Sequence, residues 1–192
     1  TDDAGAAASV ERLLDVLDLD AGQARTTEDI FTGTSHPMPT GRIYGGQVLA
    51  QTLIAAERTM PDDRAVHSMH GYFLRPGDST QGITIAVDRI HDGRSFSTRR
   101  SQAYQNGVPI FSMIASFQDA DPGIEHAQPM PTDIPGPDEL SPDETIVSGA
   151  HPLTMRMLTD RPADIRHVDG PIYACFRSKR KTFDNPLTTF RR

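Results

Sequence analysis

Four stretches with period-two alternation, residues 65–74, 82–90, 95–105 and 108–118, constrain this chain more than anything else in it. In the last of them Phe111, Met113, Ala115 and Phe117 fall on one side, and Ile110, Ser112, Ile114 and Ser116 on the other. Asp92-Gly93 and Asn106-Gly107 lie between stretches and mark tight hairpins, because both dipeptides tolerate the positive φ such turns require. With connections this short, the four strands are expected to form an antiparallel meander.

Upstream, Gly45 and Gly46 lead into a run over residues 47–59 in which Val48, Leu49, Leu53, Ile54, Ala55 and Ala56 occupy most of the helical circumference. A helix apolar nearly all round is a buried one. Its small residues, Gly46, Ala50, Ala55 and Ala56, allow a sheet to approach closely. Nearer the N-terminus, Ser9 is a good N-cap for a cover helix whose Val10, Leu13, Leu14 and Leu17 form one apolar stripe. Between the two helices the chain is polar and broken by Gly33, Pro37 and Pro39, with a short strand expected around Ile30 and Phe31. The expected fold class is α+β: an antiparallel sheet wrapped round a long central helix, over residues 1–120. Prolines 122, 129, 131, 135, 137 and 142 then fill a linker over 121–143, and residues 144–192 hold a short helix, to about Thr159, and an irregular tail. The basic end of that tail, Lys179, Arg180, Lys181, Arg191 and Arg192, is either solvated or a site for something acidic.

The net charge of −7 argues against a general affinity for nucleic acid or anionic lipid. Cys175 is the single cysteine, which removes an intrachain disulfide and a cysteine-based zinc site and fits a reducing compartment. Asp2 and Asp3 stand where a signal peptide would be basic, and no long apolar run follows, so neither leader nor membrane span is expected and the cytoplasm is the expected location. The histidines do not fall at ligand spacing with carboxylates, and HExxH, GxSxG and GxxxxGK patterns are missing, so no metal or cofactor is expected and serine-hydrolase and nucleotide-hydrolase readings fall.

Four pieces of the chain carry a resemblance. They are residues 41–48 (GRIYGGQV), residues 66–78 (VHSMHGYFLRPGD), residues 92–100 (DGRSFSTRR), and Pro109-Ile110-Phe111 with Ala115-Ser116-Phe117-Gln118. In this order and spacing they resemble the first half of type II acyl-CoA thioesterases, the family of bacterial thioesterase II and the peroxisomal acyl-CoA thioesterases. The resemblance is close over residues 10–130 and weaker to about residue 170. It implies a hot-dog unit, the first of two tandem units whose sheets join side by side. It also implies that the Asp, Thr and Gln that bind the nucleophilic water belong to the second unit, for which residues 144–192 are only a start.

A thioester carbonyl needs a donor for its oxygen, a base to aim a water and an apolar slot for the acyl chain. The candidates for substrate binding are Gly45, Gly46 and Gln47 at the start of the buried helix, where free amides and the helix dipole favour an oxyanion, with Phe73, Arg75 and Arg99. Arg100 joins these as a cation for coenzyme A phosphates; the alternative for the arginines is salt bridging with Asp78, Asp88 or Asp92, and for the glycines, tight packing. The catalytic candidates are His67, Gln118 and Ser97. His67 shares strand parity with Met69, Gly71 and Phe73 and is expected to face the helix, opposite His70, as a base or as a structural residue. Gln118 stands where the resemblance places the first-unit echo of the second unit's Gln. Ser97 faces the helix in one register of the third strand, together with Ser95; in the other register Phe96 and Thr98 do.

The expected reaction is hydrolysis of acyl-CoA to free fatty acid and CoA by an activated water, with acyl-CoA as the small-molecule partner. Two rivals are a non-catalytic acyl-CoA-binding or assembly half and an enoyl-thioester hydratase, the latter lacking a convincing His–Asp pair. One such unit leaves a sheet edge open, so a homo-oligomer, at least a dimer, is expected. Slot depth would be set by Met69, Phe73, Phe111 and Met113.

Overall fold

The computed structural model describes residues 3–21, 28–61, 64–141, 152, 155, 156 and 163–168. The chain divides into two compact units, Thr1–Gln128 and Pro129–Arg192. The first contains helix α1 (Asp3–Leu17), strands β1 (Asp20–Ala21) and β2 (Asp29–Gly33), helix α2 (Gly45–Glu57), and strands β3 (Arg64–Phe73), β4 (Ile83–Asp92), β5 (Phe96–Gln105) and β6 (Val108–Asp119).

The six strands form one antiparallel sheet in the order β1-β2-β4-β5-β6-β3. Only β4, β5 and β6 are a meander. The strand that precedes them, β3, pairs with β6 at the far edge, Met69 opposite Ala115 and Phe73 opposite Phe111, and not with β4 as the simple four-strand meander required. The connection over residues 74–82 crosses the end of the sheet to reach β4. The Gln105 side chain at the end of β5 holds it there, accepting from the Asp78 N–H at 2.8 Å and donating to the carbonyls of Asp78 and Gln81 at 2.9 and 3.1 Å.

One turn signal reads as expected. Asn106 and Gly107 have φ of 50° and 75°, the left-handed pair of a two-residue hairpin. The other does not: Asp92 is still in β4, opposite Ser97, and the chain turns through the residues after it, closed by the Gly93 N–H on the Phe96 carbonyl at 2.8 Å.

The rows alternate along β5, and along β6 from Phe111 onward, Ile110 before it being buried as well. Ser97, Arg99, Ser101, Ala103 and Gln105 are buried beneath α2, which settles the third-strand register, and Phe111, Met113, Ala115 and Phe117 are buried beside them. Ala103, Phe111, Met113, Ala115 and Phe117 make the core with Val48, Ala55, Ala56, Phe31, Ile83, Ile85 and Val87. Thus α2 is the central helix, and its buried face includes polar residues, Gln47, Gln51 and Thr52, alongside the expected alanines. Gln51 explains itself: its side-chain amide donates to the carbonyls of Val16 and Thr34 at 2.5 and 2.9 Å, fastening α1 and the segment after β2 to the helix.

The cover helix starts six residues before Ser9, so Ser9 is no cap; it is buried inside α1, where its hydroxyl accepts from Arg12 at 2.9 Å. Val10, Leu13 and Leu14 of the anticipated stripe are exposed, and Val16 and Leu19 make the buried contacts. In the second unit, a 3-10 turn at Pro137–Glu139 interrupts the proline-rich stretch. Of the helix expected over 144–159 only residues 152, 155 and 156 are described, all helical, and the basic tail lies outside the described residues.

Candidate active site

A cleft of about 270 Å3 opens where the first turn of α2 meets the crossing connection, lined by Ile43, Gly45, Val48, Phe73 to Gly77 and Ile110. Its walls follow from local structure. The Ile43 N–H donates to the Gly77 carbonyl at 3.0 Å, and Arg42 and Asp78 form an isolated antiparallel bridge, so the strap before α2 and the connection after β3 run side by side. Leu74 and Arg75 each donate a backbone N–H to the Ile110 carbonyl, at 2.9 and 3.2 Å, which fixes the other side of the opening to β6.

Three of the sequence candidates meet here: Gly45, Phe73 and Arg75. A Cβ on Gly45 would lie 3.1 Å from the Phe73 ring, and one on Gly46 would run into the Tyr44 ring. Both glycines thus let aromatic rings pack closely against the helix start, whatever else their amides do. Tyr44 is the N-cap residue and supplies no side-chain cap; the Gln47 N–H donates to the Tyr44 carbonyl at 3.0 Å, and the Gly45 and Gly46 amides keep the donor character of an uncapped helix end. Arg75 is exposed at the rim, donates to the Pro109 carbonyl at 2.9 Å, and forms no ion pair among the described residues. Asp78 is not its partner, being folded into its own turn. The N–H of Thr80 at 2.8 Å holds the Asp78 carboxyl below the usual carboxylate range; the Thr80 hydroxyl at 2.7 Å and Gln81 at 3.1 Å add to this against slight desolvation.

Gln47 is not in the cleft. It is buried behind it, accepting from the His36 N–H at 3.1 Å and donating to the Thr34 carbonyl at 3.3 Å.

The remaining candidates gather at the opposite end of α2. Arg99 is 1% exposed and fully occupied: it donates to the Thr59 hydroxyl at 2.7 Å, to the carbonyls of Thr59, His91 and Thr98, and to Asp92 at 2.7 Å. It ties the C-terminal end of α2, where carbonyls welcome a cation, to the sheet. No coenzyme A phosphate can reach it, so Arg99 is withdrawn as a binding residue. Arg100 is paired with Asp88 at 2.9 Å on the outer face. Ser97 is fully buried and its hydroxyl accepts from Arg64, which also bonds Asp119 at 2.7 Å and the Arg94 carbonyl at 2.6 Å.

His67 corrects the parity argument. The register of β3 against β6 shifts between Val66 and Ser68, so His67 is the extra residue of a bulge and pairs with nothing on β6. It is exposed, with its ring 6.1 Å from that of Phe96, a residue of the outward row. Gln118 also belongs to the outward row, opposite Phe96 and Ala65. His67, Ser97 and Gln118 are thus near one another along the sheet but split between its faces, and none lines the cleft.

A protein-family model described as the acyl-CoA thioesterase N-terminal domain matches residues 34–118, which run from the end of β2 to the end of β6. Over those residues the chain is similar to that family's N-terminal domain. The human protein acyl-coenzyme A thioesterase 8 is 43% identical over 121 residues, 62% of this chain and 38% of that protein. Acyl-CoA thioesterase 2 of Haemophilus influenzae is 35% identical over 142 residues, 71% of this chain and 49% of that one. The crystal structure of an acyl-CoA thioesterase II from Mycobacterium marinum superposes with a TM-score of 0.59 at 42% identity, over 68% of this chain and 47% of that one. The chain therefore spans less than half the length of these relatives. The matched span has the hot-dog fold, a sheet packed around a central helix, and the cleft at the start of α2 is built from its residues.

Proposed function

We propose that this chain takes part in hydrolysis of acyl-CoA thioesters, with the thioesterase N-terminal domain supplying the cleft that receives the acyl-CoA. The observation that carries the reading is the cleft itself: apolar walls, a cation at the rim in Arg75, and a helix start at its base. In the reaction a water oxygen attacks the carbonyl carbon, the carbon–sulfur bond breaks, and the thiolate leaves and takes up a proton, giving free fatty acid and CoA. Helix-start amides suit the oxygen that becomes negative as the water adds. Another hot-dog unit, paired along the free edge of β3, would supply the groups that aim the water. The cytoplasm is the proposed compartment, on the strength of the lone Cys175. Among the described residues no helix is long and apolar enough to cross a membrane.

A second reading, a binding or assembly half without turnover, is favoured by the scattering of His67, Ser97 and Gln118 away from the cleft. Thiol release and acyl-CoA binding, measured separately on the purified chain, divide the two. Binding with turnover supports the hydrolase, and binding alone supports the assembly half. If acyl-CoA is neither bound nor cleaved, both readings fail. His67→Ala and Gln118→Ala are expected to leave acyl-CoA affinity within about twofold of the wild type, since a difference smaller than ~0.5 kcal/mol is what distant surface changes produce.

A further inference from the structure

Phe73 lines the cleft beside Val48 and Ile110, which belong to the buried core. Its ring rests on Gly45, and its other side meets Phe111, the two ring centroids 4.8 Å apart. Phe111 is fully buried and does not line the cleft. Beyond it on the same inward row of β3 comes Gly71, whose missing side chain is replaced by the Phe111 ring, 2.5 Å from where a Cβ would be. Behind Phe73 the apolar interior thus continues along the strand through Phe111 and the space beside Gly71.

Resting on the acyl-CoA reading, we propose that Phe73 is the stop that sets how long an acyl chain this cleft accepts. The occupant follows from charge and polarity together: an anionic head held near Arg75 at the rim, and an alkyl tail directed between Ile43, Val48, Leu74, Pro76 and Ile110 toward the Phe73 ring. Phe73 is 58% exposed, so shortening it changes the cleft without emptying the core.

Binding of free CoA and of a saturated acyl-CoA series, lengthened two carbons at a time, is measured by titration calorimetry on the full chain. Affinity should rise by about fourfold for each CH2 that enters the cleft and then level off where the tail meets Phe73. Phe73→Ala should carry the plateau to longer chains by at least one step of the series, and Phe73→Trp should bring it to shorter ones. Tyr72→Ala, on the outward face of the same strand, should leave the plateau in place. Arg75→Ala should weaken every member of the series alike, free CoA included. An unchanged plateau in both Phe73 variants, or an equal shift in Tyr72→Ala, overturns the stop while the acyl-CoA reading stands. If the wild type binds acyl-CoA no better than free CoA at any length, the reading and the stop fall together.

Discussion

At the scale of single residues, a continuous polar network stands at the C-terminal end of α2. Asp119, Arg64, Ser97, Asp92, Arg99 and Thr59 form one hydrogen-bonded chain of alternating charge. Desolvation pushes the Asp92 carboxyl up, but hydrogen bonds from Arg99 and Ser97, with the charges of Arg99 and Arg89, leave it below its ordinary value. A carboxyl lowered in the folded state stabilises the fold at pH values above its unfolded pKa, and that contribution is lost as pH falls through the lower, folded pKa. Asp92→Asn should therefore cost stability at neutral pH and cost nothing in strong acid, where the wild-type carboxyl is protonated too. Breaking a fully buried pair costs about 3–5 kcal/mol. The Asp92 side chain is 52% exposed and Arg99 keeps four other acceptors, so solvent screening reduces the expected loss to about 1–2 kcal/mol. Urea unfolding of both proteins from neutral pH into acid checks it; two curves separated by a constant amount would remove Asp92 as the acid-sensitive partner.

At the scale of elements, the legible parts of the chain were those decided by neighbours in sequence. The alternation of β6 and the positive φ of Asn106-Gly107 depend on a handful of adjacent residues, and both could be read directly. The place of β3 in the sheet could not, because pairing across β6 is a choice between distant partners; the only local hint was a connection over residues 74–82 too long for a hairpin. The face of His67 was misread for a related reason, since one extra residue in a strand inverts every parity after it and no residue type announces a bulge. Arg99 looked like a ligand for phosphate because sequence shows a charge and not its burial. Gly71 tests how tightly β3 is fitted. A Cβ there lies 2.5 Å from Cζ of the buried Phe111 and 3.1 Å from Cβ of Met113, so Gly71→Ala forces Phe111 out of place. The expected destabilisation is about 1–3 kcal/mol, typical of overpacking. A denaturant midpoint equal to that of the wild type would mean that β3 lies more loosely on the core than its register implies.

At the scale of the whole molecule, the two edges of the sheet are unequal. One edge is β1, two residues long, and the other is β3, with ten residues whose outward backbone groups have no partner strand among the described residues. Val66, Tyr72, Phe73 and Leu74 are all exposed along or just beyond it. A long open edge carrying apolar side chains invites another strand, and the hot-dog family joins its units through their sheets. Phe73, the last residue of this same strand, lines the cleft, so a unit docked on β3 would stand beside the proposed acyl-CoA site. We therefore predict that the isolated chain is at least a dimer by light scattering after size-exclusion chromatography. Lysines are the usual defence of a free edge, and Val66→Lys combined with Tyr72→Lys should shift the chain to monomer while its far-ultraviolet circular dichroism stays that of the wild type. A wild-type chain that elutes as a sharp monomer across working concentrations would show that β3 is protected by its own bulge at His67, and would move the search for the water-aiming groups away from this edge.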